Sequence, residues 1–386
     1  MKRICFLVDS IFSVGGVQRV TAVIAKELAK DHDVTIVTLD KPSAEDTLLY
    51  GLHKAAICYR FFGYPATGRM KEWCCKAYSY LYRKVLPQTW LTSEGYAHSS
   101  FPSEKRRALG RMLQEGGYDV IIGVHAPLAV RLAMCRKMLK GVRLIGWIHN
   151  SYQALFGEGS LYIGPELRRH YEWQLEKLDE TVVLCQADAQ QYHFPTRVIY
   201  NPLTLHPGQP STGSQKKFLA VGRFSPQHKG FDLLIEAFHL FARQDTEWTL
   251  DIVGEGVEEP LYRELIRKYQ LEQRITIHPF TNEIQRYYAA ASYYILSSRW
   301  EGMPLVLMEA MSHGLPVISS DLPVCQEIMG DFGLYFRCGD SRGLAEQMTR
   351  SITLDWQELS KEALSIAERF NIKNIISLWR DIIKSN

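Results

Sequence analysis

Residues 218–254 read FLAVGRFSPQHKGFDLLIEAFHLFARQDTEWTLDIVG. FLAV is a short apolar run that stops at Gly222, as a buried strand does. The segment after it is polar and closes on Gly230. FDLLIEAFHLFAR then places Leu234, Phe238 and Phe241 on one side, the spacing of a helix. TLDIV is a second apolar run. Strand, loop, helix and strand in this order form the unit of a parallel, doubly wound sheet. RITIHPF, YYILSS and PVISS, at 274–280, 293–298 and 316–320, are further short strand candidates that alternate with helical stretches.

The same grammar opens the chain. RICFLV (3–8) predicts a buried strand, a loop carries Gly15 and Gly16, Val20, Val23, Ile24 and Leu28 share one helical face, and VTIVTL (34–39) is the next strand. Two such halves predict an α/β protein with two Rossmann-like domains facing each other. The division falls near Asn201-Pro202. Residues 206–217, HPGQPSTGSQKK, have the Pro, Gly and Ser content of a linker or exposed loop. From Phe370 to Asn386, Ile372, Ile375, Ile376, Trp379, Ile382 and Ile383 recur at helical spacing, so a terminal helix must pack on something.

Bulk properties narrow the function. The chain has 386 residues, enough for two domains with their own cores. A net charge of +3 gives no support for a nucleic-acid surface. Eight cysteines form no C-x-x-C pair and no zinc-spaced cluster, which points to a reducing compartment, the cytoplasm. The opening MKRICFLVDS has too short an apolar run for a secretory signal, and no stretch is long enough to span a bilayer.

Chemistry concentrates in RWEGMPLVLMEAMSHG (299–314). Proline is favoured in the first helical turn, so a helix is predicted from about Pro304 to Gly314. Its N-terminal N–H groups and dipole suit an anion such as a diphosphate beside Glu301. Glu309, little more than one turn in, can accept hydrogen bonds from ribose hydroxyls. Arg223 and Lys229 sit in the loop after a strand, where open α/β sheets bind ligands, and can stabilise charge growing on a departing diphosphate. A nicotinamide dehydrogenase is disfavoured, because no G-x-G-x-x-G follows the first strand. Asp31-His32-Asp33 has a metal-like spacing but falls in a turn, with nothing near it in sequence to complete an oxygen shell.

These residues resemble the retaining glycosyltransferases of the GT-B fold, the large group 1 family. The likeness rests on Gly222-Arg223 with Lys229-Gly230, on Glu301-Gly302-Met303-Pro304 with Glu309, on Gly254-Glu255-Gly256 and on Asn201-Pro202. The interval from Arg223 to Lys229 is one residue longer than is common, His228 being the extra one. Gly15-Gly16 resembles the family's glycine pair facing the diphosphate, with Gln18 where Glu is frequent. His125, after DVIIGV, lies where the family often has a histidine near the donor sugar.

The resemblance implies residues 1–201 as acceptor domain, 202–369 as donor domain, and 370–386 as a helix returning to the first, with the domains facing across a cleft. It implies transfer of a sugar from a nucleotide-diphosphate donor, UDP favoured and GDP possible, to a glycan or lipid-linked acceptor of bacterial surface polysaccharide or glycolipid synthesis. The configuration is retained, and neither metal nor other cofactor is needed. Glu301, Arg223, Lys229 and His125 are the implied catalytic residues. Gly15, Gly16, Gly254, Phe280, Thr281, Asn282, Gly302, Met303, Leu305 and Glu309 complete the implied donor site with Pro304. A GT-B-shaped epimerase and a silent sugar-nucleotide-binding relative are the alternatives. Residues 59–111 mix aromatics with Arg60, Arg69, Lys71, Lys76, Arg83, Lys84, Lys105, Arg106, Arg107 and Arg111. Their expected partner is an anionic membrane surface, against the plainer reading of buried rings and solvated charges.

Overall fold

The computed structural model describes residues 1–41, 46–160, 162–205 and 208–384. It divides into two compact units, Met1–Tyr200 with Ile375–Asn386, and Asn201–Asn374.

The first unit is built on seven parallel strands: β1 (Arg3–Val8), β2 (Asp33–Thr38), β3 (Ile57–Phe61), β4 (Val120–Val124), β5 (Arg143–Trp147), β6 (Glu180–Val183) and β7 (Arg197–Val198). Their order is β3-β2-β1-β4-β5-β6-β7. Four of the six residues of β1, Ile4 to Leu7, have no exposure at all, so helices cover both faces of the sheet. The terminal helix Ile372–Lys384 turns Ile375, Ile376, Trp379, Ile382 and Ile383 inward. Within this unit Trp379 packs on Trp147 with ring centres 4.6 Å apart, Lys2 Nζ donates to the Ile383 carbonyl at 2.6 Å, and Arg380 pairs with Asp31. Asp31 thus serves an ion pair with the terminal helix.

The second unit has β8 (Lys217–Val221), β9 (Thr249–Val253), β10 (Ile275–His278), β11 (Tyr293–Leu296), β12 (Val317–Ser320) and β13 (Leu334–Phe336), all parallel, in the order β10-β9-β8-β11-β12-β13. Helix Phe231–Phe241 lays Leu234, Phe238 and Phe241 on Phe218 and Ile252. Both sheets are of the doubly wound kind predicted from sequence. In each, strand order reverses between the first and fourth strands, and that reversal opens a crevice at the strands' carboxyl ends.

Of residues 206–217, His206 and Pro207 lie outside the described residues; the rest is a loop exposed at most positions, as expected, but anchored at Ser211. Ser211 is buried, its N–H donates to the His313 carbonyl at 2.8 Å and its hydroxyl to the Ala291 carbonyl at 2.5 Å. The same small polar residues that make a flexible linker also let a chain lie close against a domain and spend its hydroxyls on buried carbonyls.

Candidate active site

In the second unit the candidate residues converge at the switch point between β8 and β11. Gly222 N–H donates to the Val253 carbonyl, and Phe224 N–H to the Glu255 carbonyl. A side chain at Gly254 would strike the Gly222 carbonyl and one at Gly256 the Phe224 carbonyl, so glycine is needed for this close approach. Gly230 adopts φ +63° against the Ser297 carbonyl. Gln227, at φ +57°, takes up the extra length of the loop. His228, the additional residue, stacks on Trp300 with ring centres 4.9 Å apart and an 8° tilt, and its Nε2 lies 3.0 Å from the Trp300 carbonyl.

Lys229 Nζ donates to Glu301 Oε1 at 2.6 Å, and Ser298 Oγ donates to the same oxygen at 2.6 Å. Glu301 is 8% exposed. Burial alone would raise its pKa, but the Lys229 ammonium, then His228 and the two hydrogen bonds, outweigh burial and hold the carboxyl below its usual value. The result is a buried, ionised carboxylate paired with an ammonium at a strand end. Arg223, in the same loop, is exposed.

The helix spans Leu305–Ser312. Pro304 stands one place earlier than predicted, as the capping residue, because its ψ of 100° is extended. Gly314 at φ +73° ends the helix as expected. The first turn carries no acidic side chain to compete for an anion. Met303 is buried, and its sulfur accepts from the Asn201 N–H at 3.0 Å. Glu309 is buried and accepts from Tyr288 Oη at 3.1 Å. Sequence reasoning missed the support around it. Tyr288 stacks on His313, whose Nε2 accepts from Gly208 N–H at 3.2 Å. That leaves Nδ1 as the protonated nitrogen, donating to the Glu309 carbonyl at 2.8 Å. Phe280, Thr281 and Asn282 follow β10, and the Gly254 N–H reaches the His278 carbonyl just before them.

In the first unit the corresponding switch point holds Gly15-Gly16 after β1 and His125 after β4. The Gly15 N–H donates to Tyr50 Oη at 2.8 Å, and Gln18 lies against its α-carbon. Gly15 itself is extended, so glycine serves close approach there and not a left-handed turn. His125 sits at φ +73°, ψ 150°, a region that only glycine ordinarily occupies. That strained backbone stands at the carboxyl end of a parallel strand. Burial lowers the pKa of His125, and Asp9 opposes that shift. Its ring lies 5.4 Å from that of His149, a residue the sequence reading missed. His149 is buried, its Nε2 has no hydrogen-bond partner among the described residues, and burial followed by His125 drives its pKa well down.

Comparison with known proteins places the chain in a family. "Glycosyltransferase Family 4" matches residues 14–206, half of the chain, and "Glycosyl transferases group 1" matches residues 215–353. A Haemophilus influenzae protein described as an uncharacterized glycosyltransferase is 25% identical over 99% of this chain and 100% of its own length. The amylovoran biosynthesis glycosyltransferase AmsD of Erwinia amylovora is 30% identical over 44% of this chain and 48% of its own. Among solved structures, Anabaena HepE in complex with UDP superposes with a TM-score of 0.77 at 20% identity, covering all of both chains.

Proposed function

Because the chain belongs to glycosyltransferase family 4 and has the GT-B fold, it is a glycosyltransferase, and we propose that it transfers a sugar from a UDP-sugar, with retention, to a glycan or lipid-linked acceptor of bacterial surface polysaccharide synthesis. The polysaccharide assignment draws on AmsD, and the choice of UDP on HepE, which holds UDP. GDP is the alternative nucleotide.

The observation that carries the reading is the Lys229–Glu301 pair at the β8/β11 switch point, with Glu309 buried one turn into the adjoining helix. Arg223, Lys229 and the N-terminus of Leu305–Ser312 hold the diphosphate, with Gly302, Met303 and Pro304 shaping the approach. As the bond from the anomeric carbon to the β-phosphate oxygen breaks, negative charge collects on the diphosphate. Cations already oriented there stabilise it more than they stabilise the intact donor. No metal is required for that role. Glu309 takes the ribose hydroxyls, its carboxylate aimed by Tyr288 and its helical turn pinned by His313. Glu301 faces the sugar. The loop Phe280–Asn282 meets the base through its backbone. In the first unit, Gly15, Gly16 and the strained His125 are the assigned donor-contacting residues.

A thermal-shift screen against UDP, GDP, ADP and their sugar conjugates tests this. A ligand at about 100 times its Kd stabilises the fold by about 2.7 kcal/mol. UDP and a UDP-sugar should raise the melting temperature and ADP should not. A screen in which no nucleoside diphosphate shifts the transition overturns the reading.

A further inference from the structure

The helix Arg69–Lys84 is out of keeping with a helix of an ordinary domain surface. Of its sixteen residues only Tyr82 is buried. One face is held down: Tyr78 Oη donates to the Thr92 carbonyl at 3.1 Å, and Ser79 Oγ meets Ser99 Oγ at 2.9 Å. The opposite face should be polar, yet Met70, Trp73, Ala77 and Leu81 follow one another there at helical spacing. Met70 is 83% and Trp73 72% exposed, with Leu81 also exposed. Just beyond the helix Val85, Trp90 and Leu91 are exposed as well. Large apolar side chains gathered in one region mark an interaction surface.

The charge around this face selects what covers it. Residues 59–111 carry ten basic and three acidic side chains, a net +7 in a chain whose total is +3, so the remainder is net negative. Among the described residues Arg69, Lys84, Lys105 and Arg111 form no salt bridge. Beside the apolar face lies a cleft of about 530 Å³ lined by Lys76, Arg83, Lys84 and Lys105, with Glu72 its one acidic residue and the Ser79 and Tyr80 hydroxyls at hand. Arg83 is shared there with Glu166 at 2.7 Å and Lys76 with Glu72 at 2.9 Å, which leaves Lys84 and Lys105 as the cleft's unshared cations among the described residues. A second copy brought to this face by two-fold symmetry would set two strongly cationic patches together, which costs several kcal/mol. An anionic bilayer supplies what both features lack: acyl chains for Met70 and Trp73, and phosphates for the cations.

We propose that Arg69–Lys84 lies in the plane of an anionic membrane, with Met70, Trp73 and Leu81 in the interfacial layer and one phospholipid phosphate seated in the cleft between Lys84 and Lys105. No helix among the described residues is long and apolar enough to cross a membrane. Attachment through this helix is therefore on the surface, with Lys84 reaching up past the apolar ring to the headgroups. The consequence for catalysis, that this face brings the enzyme to a lipid-linked acceptor, rests on the function proposed above; the docking itself does not.

The experiment is flotation of the full chain with vesicles of phosphatidylcholine alone or mixed with phosphatidylglycerol, with the UDP thermal shift read on the same preparations. Wild type should float only with phosphatidylglycerol. Lys84→Glu with Lys105→Glu should weaken partition on the order of 30-fold or more, from about 1 kcal/mol per basic residue at the surface. Met70→Glu with Trp73→Glu should abolish it. All these side chains are exposed or line an open cleft, so both variants keep the wild-type shift with UDP. Equal flotation on phosphatidylcholine alone, or flotation untouched by either pair, overturns the proposal. So does a soluble dimer that Met70→Glu with Trp73→Glu splits while no vesicle is bound. Flotation without a thermal shift from UDP or any other nucleoside diphosphate leaves docking intact and refutes the function instead.

Discussion

Replacing Lys229 by Met keeps most of the side-chain volume and removes the ammonium that lies 2.6 Å from Glu301. Glu301 is 8% exposed and, among the described residues, then keeps Ser298 as its short-range donor. Breaking a buried pair by deleting one partner costs about 3–5 kcal/mol, since the other charge is left unpaired, whereas replacing both partners is often neutral. Lys229→Met should therefore destabilise the protein by about 3–5 kcal/mol, and Lys229→Met with Glu301→Gln by much less.

The pH dependence follows with a definite sign. In the wild type Glu301 has a folded pKa below its unfolded value of about 4.3. It stabilises the fold above that value, and the contribution is lost as pH falls through the folded pKa. Without Lys229, burial dominates and the folded pKa rises. The variant then recovers stability relative to wild type as pH falls from about 7 toward 5. Urea unfolding of wild type, both single variants and the double variant across this range is the assay. A Lys229→Met protein as stable as wild type, or a double variant less stable than the single one, refutes the pairing argument. Sugar transfer should be lost in all three.

His125→Gly should be more stable than His125→Ala by about 1–3 kcal/mol, because only glycine relieves the φ +73°, ψ 150° backbone; equal stabilities measured by denaturation would remove the claim of strain. His149→Phe should flatten the stability profile between about pH 7 and 5. Buried neutral His149 has a lowered folded pKa, so its contribution is present above the unfolded value of about 6.5 and lost as pH falls. An unchanged profile would show that His149 does not titrate in this way. Trp379→Ala, which empties a fully buried site against Trp147, should cost about 3–5 kcal/mol in the first unit; a loss below about 1 kcal/mol would mean that the terminal helix contributes little there.

Much of the architecture was legible because parallel strands buried on both faces announce themselves as short apolar runs, RICFLV and FLAV among them, ended by glycine or aspartate. Arg223, Lys229, Glu301 and Glu309 could be picked out because loop, strand end and helix start lie close in sequence. Residues joined only by the fold could not. Nothing near Glu309 indicates that Tyr288 and Gly208 reach it and its neighbour His313 from 21 and 105 residues away. His149 has no local pattern to separate it from any histidine after a strand. At residues 208–217 composition pointed to the exposed loop but not to its anchor Ser211, since it cannot distinguish a free hydroxyl from one that is tied down. At Arg69–Lys84 the aromatic content was plain, but burial, the ordinary fate of such residues, is not what the fold gives Trp73.

Glu301 to Glu309, with the Arg223–Lys229 loop, form the proposed nucleotide-diphosphate site. Calorimetric titration of UDP into wild type, Arg223→Ala and Glu309→Gln tests it most directly. Charge-assisted hydrogen bonds contribute about 1.5–3 kcal/mol each, so each variant should bind UDP about 10- to 150-fold more weakly while unfolding at the wild-type temperature. Wild-type affinity in both folded variants would contradict the site.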